Sequence, residues 1–303
     1  MSVYVNAEAR MSATHWWLLG GLTFAWGFNW TAIKIALDDF TPWIFRALCL
    51  ALGALVLFGI ALANREDLRV PRGMWGRLWL HSILNVTCWN MLIAYGLMMI
   101  PSGRAATLAF TMPVWSIPLS VWLLGEPFTR RKLVALLMGT LAMVLLVSEE
   151  LGSLGRAPLG ALLALTASLT WAFGTVLQKR LPTGQSTLAY SGWTMLLGGV
   201  PVFAGVLAFE SDAWHVVGAP ALGALAYNVL IAFAFAYWAW FRLAQAVSVA
   251  VSSISILSVP VVGVVSGIWL LGERPGWHEL LALLLVVASV LVINLPTRRA
   301  RQD

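Results

Sequence analysis

The pentapeptide WLLGE occurs twice in the chain, at residues 122–126 and at residues 269–273. At the same spacing Pro113 falls on Pro260. A second match opens each half. WGFNWTAIK at 26–34 meets WAFGTVLQK at 171–179, aligning Trp26 with Trp171, Phe28 with Phe173 and Lys34 with Lys179. The two offsets, 147 and 145 residues, agree within two, as expected of two diverged copies of one unit. What that unit is decides the fold.

Composition answers first. Of 303 residues, 60% are hydrophobic, against about 45–50% in soluble domains. Only 11% are charged, less than half the usual ~25%. A soluble chain of this length would lack polar surface, so a soluble enzyme, a disordered segment and a nucleic-acid-binding domain are all excluded. The net charge of +6 does not argue for nucleic acid, because the basic residues punctuate apolar runs instead of forming a patch. Cys49 and Cys88 lie inside apolar stretches, so no disulfide framework is expected. The first 15 residues contain Glu8 and Arg10 and no apolar core, so no cleaved signal peptide is expected there.

A membrane helix takes about 20 mostly apolar residues. Ten such stretches are legible, at 14–37, 41–63, 76–99, 101–124, 131–148, 157–179, 187–209, 218–243, 246–271 and 277–295. They are continuously apolar, unlike the ~10-residue alternation of a membrane β-barrel. The expected architecture is therefore all-α and integral to the membrane. A tail at 1–13 precedes a five-helix unit at 14–148. A linker at 149–156 leads to a second unit at 157–295 and a basic tail at 296–303. If the N-terminus is cytoplasmic, 14 of the 19 basic residues face the cytoplasm, including Arg65, Arg69, Arg72, Arg77, Arg130, Arg131 and Lys132. That bias places both termini inside. Five helices per unit is odd, so the second unit enters the bilayer from the opposite side. Inverted repeats recur in secondary transporters, which hold substrate near the midplane between the halves.

WGFNWTAIK at 26–34 and GRAATLAFTMPVWSIPLSVWLLGEP at 103–127 resemble the paired signatures of the drug/metabolite transporter superfamily, EamA type. The resemblance spans about 14–295 and implies an alternating-access carrier of small metabolites. Within that family the chain, with its 17 tryptophans, is similar to bacterial aromatic amino acid exporters. The second copy departs from the pattern. Gly174 stands where the first copy has Asn29, and helix nine carries serine where helix four carries alanine.

Polar side chains inside a bilayer usually face a bundle interior or water. Helical spacing groups them into stripes. Trp26, Asn29 and Trp30 share one on helix one; His81 and Asn85 share another on helix three, flanked by Trp89. Trp171, Thr175 and Gln178 follow on helix six, Asn228 and Trp238 on helix eight, and Ser252 and Ser255 on helix nine. These stripes are expected to converge on one aromatic, hydroxyl-rich cavity, with asparagine and serine donors for a solute carboxylate. Single tryptophans serve equally as interface anchors, and the serines as packing points. Lys34 with Asp38, and Arg46 and Arg104 with Asp38 and Asp39, are candidates for an outer gate; snorkelling to the headgroups is the alternative. Pro113, Pro118 and Pro260 are expected to kink helices four and nine. The run GVVSG at 263–267 is expected to pack helix nine within the chain.

His81 is the residue well within a span whose ordinary pKa lies near neutrality. No Asp or Glu stands near the middle of any predicted helix. Proton coupling is thus expected to run through His81 or to be absent. A cationic cargo is disfavoured for the same reason, although aromatic faces do bind cations. No phosphate-binding P-loop occurs, HELLA at 278–282 is not a zinc motif, and no cofactor or metal is expected. The rival classes are a carrier of cationic drugs or other metabolites, a membrane lipid-modifying enzyme, and a scaffold that transports nothing. The enzyme would need clustered His, Asp, Glu or Cys, which are scattered here. The expected setting is a bacterial inner membrane, with a small-molecule substrate and lipid as partners. A monomer accommodates these features, and the sequence does not fix the oligomeric state.

Overall fold

A computed structural model describes residues 13–125, 128–151, 157–246 and 258–294. Each of the ten expected spans carries helix. The first copy comprises α1 (Ala13–Leu37), α2 (Pro42–Ala63), α3 (Trp75–Ser82), a π-helical stretch over Ile83–Cys88, α4 (Trp89–Leu97), α5 (Ser102–Ala109), α6 (Met112–Leu124) and α7 (Arg130–Leu151). The second comprises α8 (Ala157–Arg180), α9 (Thr187–Phe209), α10 (Ala219–Tyr227), a π-helical stretch over Asn228–Phe235, α11 (Ala236–Ala246), α12 (Ser258–Leu271) and α13 (Trp277–Asn294). Ser252, Ser255, Glu126, most of the linker and the tails at 1–12 and 295–303 lie outside the described residues.

The two copies are interleaved, not side by side. α2 packs along its counterpart α9, and α7 along its counterpart α13. The remaining contacts come in exchanged pairs: α1 lies on α12 as α8 lies on α6, and α4 lies on α8 as α10 and α11 lie on α1. This reciprocity is what an inverted duplication produces. The WLLGE corners show it at single-residue scale. Gly125 and Gly272 both adopt left-handed backbone, with φ of 68° and 66°, and end α6 and α12. A side chain there would be strained, which explains the glycine in both copies. The corners sit at opposite ends of the bundle. Glu273 lies beside Lys34 and Ser102, whereas Leu123 lies beside Arg180 at the end of α8. We call these the Lys34 face and the basic face.

The two π-helical stretches are a feature that periodicity did not disclose. Ile83 and Asn228 are 145 residues apart, the offset that joins Trp26 to Trp171. A π turn takes in an extra residue and leaves backbone groups open to outside partners. Side-chain hydrogen bonds tie each stretch to a neighbouring helix. Trp26 Nε1 donates to Ala232 O at 3.1 Å, and Asn85 Nδ2, within the first π stretch, donates to Trp171 O at 3.1 Å.

The fourth span is two helices. Rather than kinking a continuous helix, Pro113 occupies the first turn of α6, where its missing N–H is no loss. The break falls at Phe110–Thr111, and Thr111 Oγ1 donates to Leu108 O at 2.6 Å. Pro118 does lie inside α6, and Pro260 is the third residue of α12. GVVSG faces inward, with Gly263 against Trp30 and Ala106.

The outer surface is apolar, as lipid requires. Phe24, Leu55, Leu137, Leu207 and Leu284 are exposed on five different helices. Trp122 and Trp269, equivalent in the repeat, are 76% and 77% exposed at opposite faces, where an aromatic belt belongs. Among the described residues, 42–63, 102–124, 158–180, 187–209 and 219–240 are each long and apolar enough to cross a bilayer.

A Cβ on Gly174 would collide with the Asn85 side chain, so α8 and the first π stretch approach closely only because this copy lacks the asparagine of its counterpart. Gly174→Ala is expected to destabilise the purified protein by about 1–3 kcal/mol, the usual range for overpacking. Combining it with Asn85→Ala should recover most of that loss in thermal unfolding, whereas independent sites would add.

Candidate functional site

A cavity lies between the copies, enclosing about 660 Å³ of non-atom space with its open mouth included. Its walls are a chain of aromatic rings. Trp240 stands 5.9 Å from Trp26, Trp26 is 6.0 Å from Tyr237, and Tyr237 is 6.1 Å from Trp171. Trp171 then stands 4.8 Å from Trp89, Trp89 6.5 Å from Trp30, and Trp30 6.3 Å from Phe110. Most of these pairs are tilted or edge-to-face, the arrangement that the ring quadrupole favours. Both copies contribute, and the repeat-equivalent pair Trp26 and Trp171 lies on either side of Tyr237. Ile33, Ile93, Met112, Ala232 and Phe233 complete the apolar wall.

Among the described residues, Asn29, Asn90 and Arg46 bring polar side chains to the cavity. Asn90 Nδ2 donates to Val86 O at 2.8 Å, and its side chain also bonds the Tyr237 hydroxyl. Asn29 Oδ1 has no hydrogen-bond partner. Arg46 is 1% exposed, and its Nε and Nη1 have no partner either. No carboxylate lines the cavity among the described residues.

Of the residues expected from the sequence to line the cavity, Trp26, Asn29, Trp30, Trp89 and Trp171 do so, and Arg46, expected at a gate, joins them. The others do different work. Asn85 bridges to Trp171 O, as above. Thr175 Oγ1 donates to Trp171 O at 2.8 Å, within its own helix. Asn228 is buried, with Nδ2 donating to Ala224 O at 3.0 Å. Gln178 is half-buried and does not line the cavity.

Trp238 is displaced from the site because straight α-helical counting from Asn228 fails across the π stretch. The extra residue rotates the later positions, so Tyr237 and Trp240 face the cavity, while Trp238 packs against Phe235 at 6.3 Å. Past the first π stretch, Trp89, Asn90 and Ile93 line the cavity, whereas Asn85, within the stretch, turns to α8. His81 is fully buried away from the cavity, with Nδ1 3.4 Å from the Tyr190 hydroxyl on α9.

The gate expected around Asp38 is not formed as expected. Lys34 Nζ lies 3.1 Å from Glu273 Oε1, across the chain, and Asp38 is exposed. Arg104 Nε pairs with Glu279 Oε1 at 2.6 Å. Asp39 Oδ2 accepts from Gly218 N at 2.6 Å. Arg46 joins none of these, because one turn of helix past Pro42 carries its long side chain inward to the cavity.

Glu273 is the hub of the Lys34 face. Besides Lys34 it accepts from Ser102 N and Ser102 Oγ, both at 2.8 Å, and from Gly103 N at 3.3 Å. It thereby ties α1, the start of α5 and the end of α12 together. Burial by itself pushes this carboxyl up, but the Ser102 hydrogen bonds and the Lys34 charge outweigh burial, so its pKa lies below the ordinary carboxylate value. At the basic face, Arg180 Nη1 donates to Leu123 O at 2.6 Å, and Arg77 Nη1 to Pro182 O at 3.2 Å.

Comparison with known proteins points one way. The model of the EamA-like transporter family matches residues 15–148 and again residues 158–295. The uncharacterized transporter YoaV of Bacillus subtilis (strain 168) is 24% identical over 272 residues, covering 89% of this chain and 91% of that protein. An Escherichia coli (strain K12) protein named as a probable amino-acid metabolite efflux pump is 23% identical, covering 88% of this chain and 90% of its own. A solved crystal structure, whose description names no function, superimposes with a TM-score of 0.69 at 21% identity. It covers 95% of this chain and all of that one, and it shows the fold alone.

The depressed pKa of Glu273 sets the sign of a pH effect. Its network stabilises the fold fully above the carboxyl's unfolded pKa and is lost as pH falls through the lower folded value. Thermal unfolding of the wild type should therefore weaken through the acid range below about pH 4.5 more steeply than that of Glu273→Gln. The Glu273 side chain is only 14% exposed. Near neutral pH, Glu273→Gln should thus cost about 1–3 kcal/mol, more than a surface ion pair would.

Proposed function

We propose that this chain, which belongs to the EamA-like transporter family, exports aromatic and other apolar amino acids by alternating access. It is a multi-pass membrane transporter. The finer assignment rests on one observation, the continuous aromatic wall contributed by both copies, which suits a flat apolar side chain. Aromatic rings bury large areas and pair with a planar solute at favourable geometry. The relative named as an amino-acid metabolite efflux pump supports the same class.

A cationic cargo fits less well. The cavity offers no carboxylate among its described residues and holds the guanidinium of Arg46. The asymmetry of basic residues supports an orientation with the basic face and both termini in the cytoplasm of a bacterial cell. The Lys34 face, sealed by Glu273, then looks outward. With His81 held against Tyr190, the proposal requires no proton relay, and the solute's own gradient drives export.

Counterflow of labelled tryptophan and phenylalanine in proteoliposomes tests the assignment against a panel of organic cations and nucleotide sugars. Both amino acids should exchange and the panel should not. Trp89→Ala with Trp171→Ala should lower exchange by about tenfold or more, from loss of stacking area. An imposed pH gradient of either polarity should leave the initial rate unchanged in the wild type. Strong proton coupling, lost in His81→Gln, would restore His81 as a relay.

A further inference from the structure

We infer that Arg46 is the anchor for the carboxylate of the transported solute, and that the unpartnered Asn29 Oδ1 receives its ammonium group. This deepens the reading above and rests on it for the identity of the solute. A buried guanidinium carries five donors and a full charge. Leaving it unpaired costs several kcal/mol, so such groups are normally matched by a carboxylate. Arg46 has no such match among the described residues. At its end of the bundle Asp38 is exposed, and four other acids are engaged elsewhere. Glu210 accepts from Ile44 N and Thr41 Oγ1 at the start of α2, Asp39 holds Gly218 N, Glu273 holds Lys34 and Glu279 holds Arg104. The aromatic neighbours Phe45 and Tyr237 supply an apolar surround, with the Arg46 Cζ 5.1 Å from the Phe45 ring.

Arg46 lines a space walled mostly by rings, and two of its guanidinium nitrogens, Nε and Nη1, are buried there without a partner. A guanidinium donates paired hydrogen bonds to a carboxylate, which a lysine cannot reproduce. Asn29, on the α1 side of the same space, holds a buried acceptor oxygen that no donor reaches. A cation at one wall and an acceptor at the other match the two charges of an α-amino acid, with its side chain left to the rings.

The test is competition against labelled tryptophan on the reconstituted full chain, with four probes: tryptophan, its methyl ester, tryptamine and indole-3-propionate. In the wild type, tryptophan should bind tightest and indole-3-propionate should compete. The ester and tryptamine should be weaker than tryptophan by about tenfold or more, having lost the charge-assisted pair. Arg46→Gln should abolish the advantage of acid over ester. Arg46→Lys should retain part of it, since it keeps charge without the fork. Asn29→Ala should weaken tryptophan while leaving indole-3-propionate unchanged.

Equal binding of acid and ester by the wild type overturns the inference without any variant. So does an acid preference that survives in Arg46→Gln, or failure of every carboxylate to bind. If indole-3-propionate binds through Arg46 but tryptophan is not exchanged, the anion anchor stands and the amino acid export reading falls.

Discussion

Hydrocarbon supplies no hydrogen bonds, so every backbone group within the bilayer needs a partner from the protein. An unbroken α-helix meets that demand alone. This chain departs from it three times in the described spans, at the two π-helical stretches and at the Phe110–Thr111 break, and each departure borders the cavity. Side chains bridge each π stretch to the other copy: the Trp26 indole donates to Ala232 O of the second, and the Asn85 amide of the first donates to Trp171 O on α8. The irregular backbone and the aromatic wall are thus one construction. A tryptophan that lines the cavity also completes the helix opposite.

The duplication makes that construction reciprocal. Equivalent helices pair with each other or exchange partners, so a carrier with two faces is built from one five-helix unit. At one face Glu273 gathers Lys34, Ser102 and Gly103. At the other, Arg77 and Arg180 donate to the backbone carbonyls of Pro182 and Leu123.

Spans, duplication and inversion were legible because they rest on composition and on rare residues in register. The WLLGE corners and the Trp and Lys matches carried that information directly. Five cavity residues were legible too, since α1 is a regular helix up to Trp30, and Trp89 and Trp171 are bulky residues flanking polar stripes. What periodicity concealed was the phase. A π turn has no sequence signature strong enough to read, yet it exchanged Trp238 for Tyr237 and Trp240. Charge partners were hidden for a different reason. Lys34 has a tempting acid one turn away in Asp38, but its actual partner is 239 residues distant, brought close by the fold. Arg46 sits at a span's edge by number, and the length of its own side chain carries it inward.

Trp122 and Trp269 mark the two rims of the apolar surface at equivalent positions of the inverted copies. Indoles prefer the headgroup boundary, so this pair behaves as a ruler laid across the bilayer. A membrane thinner or thicker than the distance between them must deform or tilt the protein, at a fraction of a kcal/mol per ångström. Because the two rims belong to elements that also form the fastenings at each face, lipid chain length becomes a variable acting on the balance between the carrier's two states.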